Sequence, residues 1–331
     1  MRAVMINEFG NRDTVAVQEI DDPVPGPGEV LVDVKVAGVN FTDLLSLDGK
    51  YQNLPPVPFT PGKDASGVVA AVGDGVTLVS PGERVIAHVN DSALAERVIA
   101  DERLCFRLPD DMDFETAAAI GLPYETSYVA LVLRGGLKAG ERVLINGASG
   151  GVGLAAVEIA KALGAQVLAG LTTPSKGEAV MKCGADAIID LSGEDLRDAV
   201  RDQVMAATDG AGVDLVFDLV GGAPFEASMR AIAWSGRAVV SGFTTGTIPS
   251  VKTNYLLLKN IAVVGMAISS YFDRRAPEIA VAQAAIFGLW KEGKVHPHIM
   301  ARFPLDDFRD AIALIEDRKI VGKAVLVMED R

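Results

Sequence analysis

Residues 142–165, RVLINGASGGVGLAAVEIAKALGA, hold the residue types and the spacing that could seat a dinucleotide. An apolar stretch ends at Asn146, glycines follow at 147, 150, 151 and 153, and a helix-forming run begins among them. Glycine allows a tight turn and a close backbone approach to a diphosphate, and the first turn of a helix offers unpaired N–H groups and the positive end of its dipole to an anion. The order strand, glycine loop, helix is what such a site requires, and both flanks satisfy it. Gly147, Ser149, Gly150, Gly151, Val152 and Gly153 are the candidate phosphate contacts, although a purely structural turn would use the same glycines.

The next apolar run, QVLAGL, leads into Thr172, Thr173, Pro174, Ser175 and Lys176. An NAD-preferring enzyme carries a carboxylate about 20 residues beyond its glycines, bonded to the ribose 2′-hydroxyl. Here hydroxyls and an ammonium stand instead, a set suited to a 2′-phosphate, so the expected cofactor is NADPH, held in part by Thr172, Thr173 and Lys176. Thr172 to Ser175 would equally serve as a helix-initiating turn.

These residues need a frame. From about residue 123 the chain alternates strand-like and helix-like segments, including AIID, DLVFDLVG, RAVVSG and IAVVGM, the last read as one more buried strand. Repeated βα units imply a parallel sheet covered on both faces. The first third alternates apolar and polar residues, as in EVLVDVKVAGV, between Gly- and Pro-rich turns, which implies antiparallel half-exposed strands. FETAAAIGLPYETSYVALVLRGGL marks the change from one pattern to the other. A chain of 331 residues is long for one domain, so two are expected.

Composition narrows the partners. Hydrophobic residues make up 49% and charged residues 23%, the mix of a globular protein. A net charge of −13 repels phosphate backbones and anionic lipid, and no apolar run approaches the roughly 18 to 20 residues that span a bilayer. Neither nucleic acid nor membrane is an expected partner, and a cytoplasmic location is. Cys105 and Cys183 are far apart and read as small apolar fillers, while His88, His296 and His298 read as surface or packing residues.

PGPGEVLVDVKVAGVNFTD, PGKDASGVVAAVGDGV, GLPYETSYVAL, NGASGGVG, VFDLVGG, SGF before LLLKNIAVVGM, and VGKAVLVM together resemble the medium-chain dehydrogenase/reductase superfamily, in particular its quinone oxidoreductase branch. The resemblance runs over essentially the whole chain. It implies an α/β protein with a GroES-like, β-rich catalytic domain from residues 1–122 and 263–331 around a Rossmann, doubly wound parallel-sheet domain at 123–262. It also implies a homodimer joined through the edge strand IAVVGM. Zinc enzymes of the superfamily carry a cysteine in the segment matching GVNFTD and a histidine in the one matching PGKDAS. Asn40 and Lys63-Asp64 stand there, and a lobe with four cysteines is missing, so a zinc-free reaction is expected.

By the same resemblance, Asn40 and Tyr51 lie beside the nicotinamide as the catalytic pair, with Tyr51 the proton donor. Further cofactor contacts would be Thr126, Phe243, Thr244, Ile268, Ser270 and Lys323. NADPH supplies the hydride, and a neutral donor stabilises charge developing on the acceptor oxygen. The alternative readings of Asn40 and Tyr51 are a turn former and a packing residue. Three functions are open: a quinone or enone reductase, which leads; an enoyl-thioester reductase; and a non-catalytic NADPH-binding protein of the crystallin kind.

Overall fold

A computed structural model describes residues 1–329. Its contacts divide the chain into two compact units. One comprises Met1–Leu122, Ser269–Ala284 and the described residues from Pro297 onward; the other comprises Pro123–Ile268 and Ala285–His296. This division puts 263–268 and Ala285–His296 with the parallel-sheet unit, beyond the 262/263 boundary expected from the sequence. The physical reason is that the strand Ala262–Gly265 bonds to Ile232–Val240 and cannot be parted from that sheet.

The second unit is a six-stranded sheet in the order Ala187–Asp190, Gln166–Leu171, Arg142–Asn146, Val213–Asp218, Ile232–Val240, Ala262–Gly265, with every neighbouring pair parallel. The chain starts mid-sheet, works to one edge, then crosses back and works to the other, which is the doubly wound α/β order. Helices cover both faces, so the central strands are continuous apolar runs. Leu144, Leu168, Val216, Phe225 and Ile232 share one core cluster, and each such side chain contributes about 1.5 to 3 kcal/mol of burial. The run Ala262–Gly265 is the last strand of the sheet, the edge position that the resemblance gives it, and it is largely exposed rather than buried as its apolar pattern suggests.

The first unit is built on a seven-stranded sheet whose main path runs Ile299–Pro304, Lys323–Val327, Glu29–Val39, Asp64–Val72, Arg84–His88, Cys105–Arg107, with Arg97–Asp101 also paired to Glu29–Val39. Apart from the parallel pair at Ile299–Pro304 and Lys323–Val327, its pairings are antiparallel. Register sets up chemistry here. Ala37 faces Ala65 on one side and Val39 faces Ala324 on the other. The residues one step further along, Asp64, Asn40 and Lys323, therefore meet at one end of the sheet. No helix among the described residues is long and apolar enough to cross a membrane.

Candidate functional site

In the parallel-sheet unit the glycine loop lies at the carboxyl end of Arg142–Asn146, beside the crossover to Val213–Asp218. Ligands of open α/β sheets sit at such a reversal. Gly147 has φ +84°, a left-handed conformation suited to glycine, and Gly150 precedes the helix Gly151–Ala162. Leu154 N–H makes the first bond of the helix, to Gly150 O at 2.8 Å. The amides of Gly151, Val152 and Gly153 stand ahead of it, as a phosphate requires. The loop thus fits a dinucleotide diphosphate.

Two buried polar groups fix this edge. Asn146 Nδ2 donates to Asp218 Oδ1 at 2.8 Å and to Ser228 Oγ at 3.0 Å, and Asp218 Oδ2 accepts from Gly221 N at 2.9 Å. Burial pushes the Asp218 carboxyl up to about 6. This bridge ties the two strands at the reversal together, and the sequence reading did not find Asp218 or Ser228. Phe243 and Thr244 lie on the same edge: Thr244 N donates to Leu219 O at 3.1 Å, and Phe243 borders Gly221. Thr172, Thr173 and Lys176 follow the adjacent strand. Thr126 is buried next to Ser127, whose Oγ donates to Val152 O at 2.8 Å. The structure therefore gathers the glycine loop, Phe243 and Thr244 at the carboxyl ends of the central strands, with the Thr172–Lys176 turn after the neighbouring strand.

In the other unit a buried ion pair is bridged by an amide. Asp64 Oδ1 accepts from Asn40 Nδ2 at 2.7 Å, Asp64 Oδ2 accepts from Leu122 N at 2.9 Å, and Lys323 Nζ donates to Asn40 Oδ1 at 2.5 Å. Lys323 Nζ is 3.7 Å from Asp64 Oδ2. Burial draws the Lys323 ammonium below its ordinary range, with Asp64 and Asp43 opposing. Room for the pair comes from glycine, since a Cβ on Gly38 would lie 2.7 Å from Asp64 Oδ1 and 2.8 Å from Lys323 Nζ. The Leu122 donor is released by a break in the helical backbone at Gly121, φ −35° and ψ −121°.

Beside this pair the helix Phe41–Leu47 opens with Asn40 N donating to Asp43 Oδ2 at 2.7 Å. Asp43 is fully buried, its other oxygen has no hydrogen-bond partner, and burial pushes its pKa to about 6. Tyr51 is half-buried, its ring centroid 4.4 Å from Lys63 Nζ. Burial raises the phenol pKa, and the nearby Ser269 side chain partly offsets that rise.

Lys323, expected to touch the cofactor, is buried with its ammonium on Asn40. The amide of Asn40 is itself held by Asp64, Gly38 and Lys323 rather than open on all sides. Ile268 and Ser270, expected to touch the cofactor, lie at the start of the helix Ile268–Arg274, and the Ser269 side chain between them stands near Tyr51. His88 is a packing residue between the rings of Phe106 and Phe272, its pKa lowered to about 4 by burial. His296 and His298 are exposed. Among the described residues no group of three His, Cys, Asp or Glu is placed to hold a metal ion.

A doubly wound dinucleotide unit combined with a GroES-like antiparallel sheet defines the two-domain architecture of the medium-chain dehydrogenases and reductases. Family models agree: residues 26–110 match the alcohol dehydrogenase GroES-like domain and residues 151–285 match the zinc-binding dehydrogenase domain. Quinone oxidoreductase-like protein 2 of Mus musculus is 36% identical over 329 residues, covering 99% of this chain and 92% of that protein. The Escherichia coli quinone oxidoreductase complexed with NADPH has a TM-score of 0.90 at 28% identity, covering 99% of this chain and all of that one. A mycobacterial protein complexed with NADPH gives 0.92 at 31%, with the same coverage. The chain belongs to the quinone oxidoreductase branch of the medium-chain dehydrogenase/reductase superfamily.

Proposed function

We propose that this chain is an NADPH-dependent reductase that delivers hydride to a quinone or another conjugated carbonyl without a metal ion. The observation that carries the reading is Tyr51, a half-buried phenol with the Lys63 ammonium over its ring, and the resemblance, in which Asn40 and Lys63-Asp64 stand in the segments where zinc relatives carry metal ligands, supports it. The glycine-loop amides and the carboxylate-free turn at Thr172, Thr173 and Lys176 support NADPH over NADH, and the NADPH complexes of the two relatives support the same cofactor. Bound NADPH supplies two electrons and a hydrogen as hydride. Negative charge then gathers on the acceptor oxygen, Tyr51 gives that oxygen its proton, and the phenolate recovers one from solvent. The Asn40 amide is held by Asp64, Gly38 and Lys323. A homodimer through the exposed edge Ala262–Gly265 and a cytoplasmic location, suggested by the acidic surface and two unpaired cysteines, belong to the same reading.

Anaerobic NADPH oxidation against quinones, enones and enoyl-CoA esters tests the reaction. Wild type is expected to turn over a quinone or enone, and Tyr51→Phe to lose about 10²- to 10⁴-fold in kcat, the usual contribution of a positioned proton donor. Equal turnover in the variant would remove Tyr51 from the chemistry. Activity confined to enoyl-CoA would move the assignment to an enoyl-thioester reductase, and saturable binding without turnover would make the chain a binding protein. The cofactor choice has its own check: Lys176→Ala is expected to weaken NADPH about 10- to 100-fold, the worth of one charge-assisted bond, and to leave NADH affinity in place. Equal losses for both dinucleotides would refute the 2′-phosphate contact.

A further inference from the structure

We propose that Lys63 is a positioning residue for the proton donor, its ammonium gripping the face of the Tyr51 ring and making the Tyr51 hydroxyl a stronger acid. The inference rests on the assignment of Tyr51 above and names the group that makes it competent. The geometry is fixed from several sides. Lys63 is 4% exposed, and its Nζ lies 4.4 Å from the Tyr51 ring centroid. The same Nζ donates to Asn90 O, and Asn90 is in turn anchored by Nδ2 to Asp273 Oδ1 at 2.9 Å. The Lys63 backbone is pinned as well, its carbonyl accepting from Val89 N at 2.9 Å. The Lys63 ammonium therefore lies against the ring face while the Ser269 side chain stands near the hydroxyl.

The chemistry of the step explains why a cation belongs there. As the Tyr51 O–H bond breaks and the new O–H bond on the acceptor forms, charge spreads from the phenolate oxygen into the ring. An ammonium on that face is attracted more strongly to the phenolate than to the neutral phenol, so its effect grows toward the transition state. No electrons leave Tyr51, since the hydride supplies them. The charged groups facing the pair are Asp43, on the helix Phe41–Leu47, and Asp91, in the loop after Arg84–His88; Asp64 and Lys323 act through Asp43. A charged Asp43 opposes ionisation of Tyr51, and its titration near 6 means that this opposition grows as pH rises through that value.

The test is a 19F titration of protein labelled with 3-fluorotyrosine, which brings phenol ionisation into a range where the protein stays folded. The Tyr51 signal is assigned by its loss in Tyr51→Phe. Lys63→Met is expected to raise the Tyr51 pKa by about one unit relative to wild type and to lower kcat about tenfold at unchanged KM for NADPH, with Lys63→Arg restoring most of both. Lys63→Gln, which keeps a donor for Asn90 O, serves the same comparison if the methionine variant does not fold. Coincident Tyr51 titrations in wild type and the neutral variants would overturn the proposal. A shifted titration with unaltered turnover would uphold the Lys63–phenol coupling and overturn the assignment of Tyr51 as proton donor.

Discussion

Gly153→Ala is expected to raise the dissociation constant for NADPH by about 100-fold or more while leaving the antiparallel unit intact. A Cβ at this position would overlap the carbonyl oxygen of Gly147 and lie 2.6 Å from Ala148 Cα, both of them backbone atoms that cannot swing aside. The helix and the glycine turn would have to part, carrying the three leading amides away from the diphosphate. A factor of 100 corresponds to about 2.8 kcal/mol. Gly150→Ala is the control: its φ is −80°, and a Cβ there would meet only Gly147 O at 3.9 Å. That variant should keep its loop, so any affinity it loses reports on crowding of the ligand itself. Fluorescence titration of NADPH measures both. Wild-type affinity in Gly153→Ala would mean that the loop does not hold the cofactor.

Lys323→Met should destabilise the apo protein by about 3 to 5 kcal/mol, read from urea unfolding. It removes the cation from a fully buried carboxylate and leaves Asp64 uncompensated, the situation in which breaking a buried pair is most costly. Converting both members, Asp64→Asn with Lys323→Met, should recover a large part of the loss, because no bare charge then remains inside. A cofactor ligand would behave differently: Lys323→Met would leave apo stability unchanged and raise only the NADPH dissociation constant.

The contrast between Lys323 and Gly153 shows what the chain discloses in one dimension. The glycine loop is local: strand, turn and helix follow one another within 24 residues, and each constrains its neighbour's backbone, so residue types alone carried the inference. The βα series was legible for a related reason, since strands buried on both faces must be apolar throughout. The Asp64–Asn40–Lys323 bridge depends on pairing residues 283 positions apart, and a sequence shows charge at each place without showing that the charges meet. Ser269 is not legible in the sequence because it comes near Tyr51 only through the fold, from a distant part of the chain. The run Ala262–Gly265 was misjudged as buried because an apolar edge strand and an apolar central strand share one pattern.

The way Lys323–Val327 completes the antiparallel sheet has a consequence for biosynthesis. That strand pairs with Glu29–Val39 and delivers the Lys323 ammonium to a carboxylate that the ribosome made some 260 residues earlier. Until it emerges, Asp64 has no cation and the early strands keep an open flank, whereas the six strands of the other unit are all translated by residue 265. Vectorial synthesis therefore lets the dinucleotide-binding half mature first and leaves the amino-terminal half waiting, a reversal of the usual order in which what is made first folds first.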